Sequence, residues 1–400
     1  MDSEDPSVSR FREFLRIKSV HPNPDYAGCI AFIQRQAQEI GLEFHQVNFD
    51  PPAEFAVWVT WRGTEPSLKS IMLNSHLDVV PVDESKWDFD PFSAHKASDG
   101  NIYARGTQDM KSVGIQYLEA IRKLMASGLK PRRTIHVTFV PDEELGGTKG
   151  MVPFVKSPEF QRLNVGFGLD EGGACPANSF LLFNAERALW QIRITVKGNT
   201  GHALHFIENT AAEKSRKIIN AFHTFREEEK GKLGDLAAIN LGNVTTVNMT
   251  MIQGGVQPNV IAPEIVITFD LRITPKWSQI EAEDFIKKVC TDAGDEISCE
   301  YILKGPVIPE TPMTPENKWW TSFKSACDSE GIELLPLICP GATDARFLRE
   351  VGIPAFGFSP MNNTPILLHD NNEFVNENVY LKGIKIYEKI IQRLWMTEGE

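Results

Sequence analysis

Short apolar, β-rich runs alternate with amphipathic helical segments over residues 26–170, and this alternation restricts the possible folds more than any other feature of the chain. Apolar residues recur at helical spacing between Tyr26 and Ile40 and again between Met110 and Leu124. Runs typical of strands occupy Phe55–Trp61, Ile71–Leu73, Thr134–Val140 and Val165–Leu169. Strands that alternate with helices predict an α/β domain with a largely parallel sheet.

A different pattern begins at Trp190. Every second residue is apolar up to Val196, and a helix with a capping-box pattern starts after Thr210. Two more alternating runs, a helix over Gln279–Ala293 and a last strand follow. The order β-α-β-β-α-β predicts a ferredoxin-like insert, and the proline-rich residues 306–315 predict a linker after it. We therefore predict an α/β domain in two parts, 1–188 and 306–400, interrupted by an inserted domain over 189–305.

Composition and charge exclude several classes of function. The 400 residues, 42% hydrophobic and 24% charged, are typical of a globular protein of two or more domains. A net charge of −12 argues against nucleic acid as a partner, because nucleic-acid binders carry a basic face. No apolar run approaches the roughly 20 residues that cross a bilayer, and the acidic Met1–Asp5 does not resemble a signal peptide. The six cysteines form no C-x-x-C pair, which indicates reduced thiols in the cytoplasm and leaves His and carboxylate as the ligands of any metal.

Histidine and acidic residues follow the predicted strands and open a predicted helix. They lie in Ser75-His76-Leu77-Asp78, Gly106-Thr107-Gln108-Asp109, Asp142-Glu143-Glu144-Leu145-Gly146-Gly147 and Asp170-Glu171-Gly172, and a fifth group, Leu368-His369-Asp370, lies in the C-terminal segment. Because ligands of open α/β sheets bind outside the carboxyl ends of the strands, these groups can converge on one crevice. Taken singly, these residues have ordinary structural interpretations: Asp109 can be a helix N-cap, and the acidic pair Glu143-Glu144 a solvated turn. His136, outside these segments, is expected to be a packed residue within a strand.

Together these segments resemble the site motifs of the di-zinc aminoacylase and carboxypeptidase family over nearly the whole chain. The resemblance implies a zinc-peptidase-like α/β catalytic domain with a mixed, largely parallel sheet, interrupted by a ferredoxin-like α+β lid and dimerisation domain. It implies two Zn²⁺ per subunit, with Asp109 bridging them, His76 and Glu171 completing one site, and Glu144 and His369 the other. Asp78, two residues from His76 and so on the same side of an extended chain, is expected to orient that ligand.

The same resemblance implies a reaction. Glu143 is the expected general base, taking a proton from a water held between the two zinc ions as it attacks an amide carbonyl. Glu143 and Glu144 point to opposite sides if their backbone is extended, so that one can bind metal while the other faces the substrate. His202 of the lid is expected to stabilise the oxyanion, often across a subunit boundary, and Asn259 to help bind the substrate. Arg272 and Arg346 are two candidates for its carboxylate.

The leading interpretation is therefore hydrolysis of N-acyl-L-amino acids, small-molecule substrates, by a cytoplasmic homodimer. A dipeptidase or carboxypeptidase of the same family would use the same metals. A zinc-binding interaction protein without turnover is the alternative from another class. Co²⁺ or Mn²⁺ could also occupy such ligands.

Overall fold

The computed structural model describes residues 4–49, 54–234 and 240–399, so the N-terminal Met1–Ser3 examined for a signal peptide lie outside the described residues. The chain forms two compact units. The first unit comprises Met1–Asn184, Thr311–Pro336 and Thr343–Glu400, and the second comprises Ala185–Glu310 and Leu337–Ala342. The predicted bounds 1–188, 189–305 and 306–400 stay a prediction. No helix within the described residues is long and apolar enough to cross a membrane.

Helices and strands alternate over the first half of the chain. The helices, in chain order, are α1 (Pro6–Leu15), α2 (Tyr26–Ile40), α3 (Lys111–Ala126), α4 (Met151–Lys156), α5 (Pro158–Leu163), α6 (Ala211–Gly231), α7 (Gln279–Ala293), α8 (Lys318–Ser329), α9 (Ala345–Glu350) and α10 (Glu377–Leu394). The strands are β1 (Glu43–Asn48), β2 (Phe55–Trp61), β3 (Ser70–His76), β4 (His95–Lys96), β5 (Asn101–Tyr103), β6 (Ile135–Val140), β7 (Val165–Asp170), β8 (Phe180–Glu186), β9 (Ala188–Lys197), β10 (Thr246–Gly254), β11 (Glu264–Ile273), β12 (Ile297–Lys304), β13 (Leu334–Cys339), β14 (Ala355–Phe358) and β15 (Phe374–Asn376).

The large sheet has eight strands in the order β1-β2-β6-β3-β7-β14-β8-β13. At its centre β3 pairs in parallel with both β6 and β7, and β14 pairs in parallel with β7. The pairs β1–β2, β2–β6 and β14–β8 are antiparallel. The α/β class with a mixed sheet is thus confirmed. Because β6, β3 and β7 run side by side in one direction, their carboxyl ends meet at one edge of the sheet.

The central strands are buried throughout because both faces of the sheet are covered. Every residue of β2, β3 and β6 is buried. Ile71 and Leu73 face one hydrophobic core with α1, α2, α3 and α10, whereas Met72 faces a second core with α4 and α5. Burying each large apolar side chain stabilises the fold by about 1.5–3 kcal/mol, so these layers hold the strand ends in fixed positions.

The second unit contains a four-stranded antiparallel sheet in the order β10-β11-β9-β12. Helices α6 and α7 both begin with a capping box, at Thr210 and Ser278, and bury their apolar sides in one core. The alternation of apolar and polar residues that was predicted for β10 does not give one buried face, because most of its residues are exposed. Met249 and Met251 are 45% and 52% exposed, because a register shift separates them and β10 is an edge strand.

Candidate active site

Parallel strand ends bring three of the predicted segments together. His76 is the last residue of β3, Glu143 and Glu144 follow β6, and Glu171 directly follows β7. The Asn74 Nδ2 atom donates to Asp170 Oδ1 at 3.0 Å, which ties β3 to β7 beside the site. Gly172 fits here because a Cβ would lie 2.4 Å from the Ser359 backbone nitrogen. The strand-end placement inferred from the sequence is therefore seen for these residues.

Asp109 reaches the same place from the loop between β5 and α3. It is not a helix N-cap, since α3 begins at Lys111 with Met110 before it and no side chain caps that end. The Glu373 carboxylate holds the loop. It accepts hydrogen bonds from Arg105 Nη1 at 2.7 Å and from the backbone nitrogens of Gly106 and Gln108 at 3.1 and 2.6 Å. Glu373 is fully buried and was missed from the sequence.

The two carboxylate oxygens of Asp109 face different imidazoles. His76 Nε2 lies 2.9 Å from Asp109 Oδ1 and 3.6 Å from Glu171 Oε2. His369 Nε2 lies 3.1 Å from Asp109 Oδ2 and 3.0 Å from Glu144 Oε2. His76 is buried, whereas the His369 side chain is 56% exposed. Asp109 thus stands between a buried histidine–glutamate pair and a more exposed one.

The expectation of an extended backbone at Glu143 and Glu144 was wrong. Residues Glu143–Leu145 form one turn of 3₁₀ helix, with Asp142 before it and Gly146 after it at positive φ. The tight turn lets both glutamates face the cluster. A carboxylate oxygen of Glu144 lies within 4.8 Å of ligand atoms of His76 and Asp109, and one of Glu143 lies within 4.8 Å of ligand atoms of His76 and Glu171. Gly147 is also at positive φ, and a Cβ there would lie 2.9 Å from Asp344 Oδ1.

Asp78 acts differently from the expectation. Its carboxylate lies 3.8 Å from His76 Nδ1, beyond hydrogen-bond distance, while its backbone carbonyl lies 2.9 Å from that nitrogen. The carboxylate instead accepts the backbone N–H groups of Glu143 and Glu144, both at 3.2 Å. His21 Nε2 lies 2.8 Å from it, and this contact raises the pKa of His21. The Asp78 side chain therefore fixes the 143–144 turn, and its main chain orients His76.

Burial and crowding perturb the titratable groups of the cluster. Burial raises the pKa of Glu143 and of Glu171 well above the usual range. Burial alone would also raise the pKa of Asp109, but hydrogen bonds with His369 and His76 hold it below its usual value. The contacts with Asp109 and Glu144 raise the pKa of His369 to about 10. Four carboxylates in one buried site repel each other, so a cation there is strongly favoured.

The side chains present fit a metal ion. Ligand atoms of His76, Asp109 and Glu144 lie within 4.8 Å of one another, as do those of His76, Glu143 and Glu171. Glu144 Oε1 is buried and has no hydrogen-bond partner among the described residues. Imidazole and carboxylate are ligands that zinc accepts, and the His76 Nδ1 contact with a backbone carbonyl is typical of a metal-binding histidine.

The predicted lid residues lie in the second unit, where the structure brings two of them together. His202 and Asn259 are exposed and sit on adjacent segments, since Ala203 N donates to the Asn259 carbonyl at 3.0 Å and His202 forms a bridge with Val260. Arg272 lies in β11, and its Nε donates to Asp270 Oδ1 at 2.9 Å.

Arg346 belongs to the first unit, at the start of α9. Its guanidinium lies 4.5 Å from the centre of the Phe347 ring, and it makes no side-chain hydrogen bond or ion pair with any described residue. The neighbouring Asp344 is fully buried, and burial raises its pKa to about 8. His136 packs within β6, where Thr60 Oγ1 contacts its Nδ1 at 3.0 Å, as expected for a structural histidine.

Comparison with known proteins identifies the family of this chain. The profile of the peptidase family M20/M25/M40 matches residues 72–393. Aminoacylase-1 of Mus musculus is 48% identical and that of Homo sapiens 46% identical, each over 98% of this chain and 96% of the relative. The crystal structure of a dinuclear metal-binding M20 peptidase from Bacillus subtilis superposes with a TM-score of 0.68 at 15% identity, covering 98% of both chains. The predicted resemblance to the aminoacylase and carboxypeptidase family is thereby confirmed, and the chain belongs to the peptidase family M20/M25/M40.

Proposed function

We propose that this chain hydrolyses N-acyl-L-amino acids to a carboxylate and a free L-amino acid, with Glu143 as the general base. The observation that carries the proposal is the position of Glu143, a buried carboxylate within 4.8 Å of the donor atoms of His76 and Glu171. Relatives named aminoacylase-1 that are 44–48% identical over 98% of the chain support this substrate class.

The environment of Glu143 suits proton transfer. Burial raises its pKa, and the negative charges of Asp344 and Glu144 raise it further, while His76 opposes them. A carboxylate whose pKa moves toward neutrality can take a proton from water and return it to the leaving nitrogen. Asp78 holds the backbone of Glu143, so the base keeps its position during both transfers.

We propose two Zn²⁺ ions as cofactors. Asp109 would contact both, because each of its oxygens faces a different histidine. His76 and Glu171 would complete one site, and Glu144 and His369 the other. When bound, zinc supplies Lewis acidity that polarises the amide carbonyl and makes water a nucleophile near neutral pH. The Bacillus subtilis peptidase of the same family binds a dinuclear metal centre, which supports the number of ions.

Arg346 is the better supported of the two candidates for binding the substrate carboxylate. Its guanidinium makes no ion pair with any described side chain, whereas Arg272 already pairs with Asp270. An arginine without a carboxylate partner can offer a bidentate contact. His202 as oxyanion donor and Asn259 as substrate ligand follow from the family resemblance, and their mutual proximity in the second unit supports a joint role.

The two alternatives are less well supported. Peptidases among the solved structures are 14–19% identical to this chain, a level that shows the fold alone. A zinc-binding protein without turnover would have no use for Glu143 as a base, yet Glu143 is present and buried beside the cluster.

Turnover of N-acetyl-L-methionine and of glycyl-L-methionine by zinc-loaded protein tests the proposal. The two substrates share the leaving amino acid, and the dipeptide carries an additional amino group. We expect kcat/KM to favour N-acetyl-L-methionine by about tenfold or more. Faster cleavage of glycyl-L-methionine would indicate a dipeptidase. Turnover of neither, with zinc content verified, would contradict the proposed function.

We further propose a cytoplasmic homodimer. The free edge of β10 exposes Met249, Met251 and Ile252, and an apolar edge strand is suited to pair with a second copy. The half-buried Cys290 and Cys299 are thiols, which supports a reducing compartment.

A further inference from the structure

Two of the six cysteines lie in contact with each other in the second unit. Cys290 is in the last turn of α7, and Cys299 is in β12, an edge strand of the four-stranded sheet. Both line one surface cavity, and they lie close enough for each thiol to shift the pKa of the other. Both side chains are half-buried, whereas Cys29, Cys175, Cys327 and Cys339 are buried. This pair thus combines mutual contact with access from solvent.

A surface cavity of about 410 Å³ leads to the pair. Cys290 and Cys299 both line it, together with Glu283, Lys287 and Tyr301. Lys287 lies one helical turn before Cys290 on the same side of α7. A small disulfide can therefore reach the thiols without unfolding of the helix or the strand.

The interaction between the two thiols makes them unequal. Cys299 lowers the pKa of Cys290. Cys290 and burial raise the pKa of Cys299. The thiolate is the reactive form in thiol–disulfide exchange, so Cys290 is the attacking residue of the pair.

We propose that Cys290 and Cys299 form a reversible dithiol–disulfide site that exchanges with a low-molecular-weight disulfide such as oxidised glutathione. The Cys290 thiolate attacks one sulfur of glutathione disulfide, the S–S bond breaks, and one glutathione thiolate leaves. Cys299 then attacks the Cys290 sulfur of the mixed disulfide and releases the second glutathione thiolate. The protein loses two protons and two electrons, and one glutathione disulfide becomes two glutathione thiols.

Contact between the thiols before oxidation favours the second step. The sulfur of Cys299 is already beside that of Cys290, so closing the ring requires little additional ordering of α7 and β12. The resulting bond joins the last turn of α7 to the edge strand of the sheet. Neither cysteine belongs to the proposed metal or substrate residues, so this proposal does not depend on the proposed hydrolysis.

Thiol counting on the full chain tests the proposal. The protein is equilibrated in defined mixtures of reduced and oxidised glutathione, quenched with acid, unfolded and treated with N-ethylmaleimide. In the oxidised mixture we expect four of the six cysteines to react, and a peptide map to show Cys290 linked to Cys299. Dithiothreitol should restore all six. Six reactive thiols in the most oxidised mixture would overturn the proposal.

Single serine variants test the order of attack. Cys299→Ser should accumulate a stable glutathione adduct on Cys290, because the resolving thiol is missing. Cys290→Ser should react with glutathione disulfide roughly tenfold more slowly than the wild type, because the attacking thiolate is missing. Cys327→Ser, at a buried position, should leave the Cys290–Cys299 link unchanged. Equal adduct rates in the first two variants, or a link between other cysteines, would contradict this assignment.

Discussion

At the scale of single residues, the Asp109 carboxylate is shared by two histidines of different exposure. His76 is held in the interior by a backbone carbonyl, and His369 approaches from an exposed loop. Asp109 Oδ1 and Oδ2 each contact one of them, at 2.9 and 3.1 Å. This arrangement is the basis for our proposal that one aspartate serves two metal sites, and it divides the rest of the cluster into two groups.

The arginines give a test at the same scale. Arg346→Ala should raise KM for N-acetyl-L-methionine roughly thirtyfold with a small change in kcat, because a charge-assisted contact contributes about 2 kcal/mol. Arg272→Ala is the matched variant, since its guanidinium is already engaged with Asp270. Steady-state kinetics of both variants measures the difference. A steep rise in KM for Arg272→Ala and none for Arg346→Ala would reverse the assignment.

At the scale of elements, the loop that carries Asp109 depends on a carboxylate far away in sequence. Glu373 accepts bonds from Arg105, Gly106 and Gln108, and both Glu373 and Arg105 are buried. The loop between β5 and α3 is thus attached to the segment that also presents His369. One buried ion pair therefore sets the position of Asp109, the proposed bridging ligand.

Replacing Glu373 should have a large effect on stability. Glu373→Gln keeps the shape of the side chain but leaves the buried Arg105 charge without its partner, which costs about 3–5 kcal/mol. Urea unfolding followed by tryptophan fluorescence measures the loss. Glu377→Gln is the control, because its ion pair with Lys96 is partly exposed and contributes at most about 1 kcal/mol. Equal losses in the two variants would show that the Glu373 network does not hold the loop.

The sequence predicts the elements better than the contacts between them. Apolar runs and periodicity identify β3, β6 and β7, and the parallel order places His76, Glu143, Glu144 and Glu171 at one edge. The roles of Glu373, His21 and Asp344 could not be predicted, because each depends on contacts between segments distant in sequence. The 3₁₀ turn at Glu143 was missed for a related reason, since Asp78 fixes it from the loop after β3.

At the scale of the whole molecule, the exposed edge of β10 is a surface suited to pairing with a strand of another chain. Met251 is 52% exposed on a strand that has a neighbour on one side among the described strands. An unpaired apolar edge favours association with another edge. The free edge therefore supports a homodimer built through the second unit.

A charge on that edge should separate the dimer. Met251→Lys is expected to shift the protein from dimer to monomer in light scattering, because lysine on an edge strand opposes pairing. Ile302→Lys serves as the control, since Ile302 is similarly exposed, at 44%, on β12 at the other edge of the sheet. A wild-type monomer, or a dimer that survives Met251→Lys and dissociates with Ile302→Lys, would contradict the proposed interface.

The most direct test of the account is the turnover number of Glu143→Gln at full metal content. Glutamine keeps the size of the side chain and its place beside His76 and Glu171, but it cannot accept a proton. We expect kcat for N-acetyl-L-methionine to fall by about 10²–10⁴-fold, with zinc content and thermal unfolding unchanged. A turnover number within a few-fold of the wild type, at equal zinc content, would show that Glu143 is not the base.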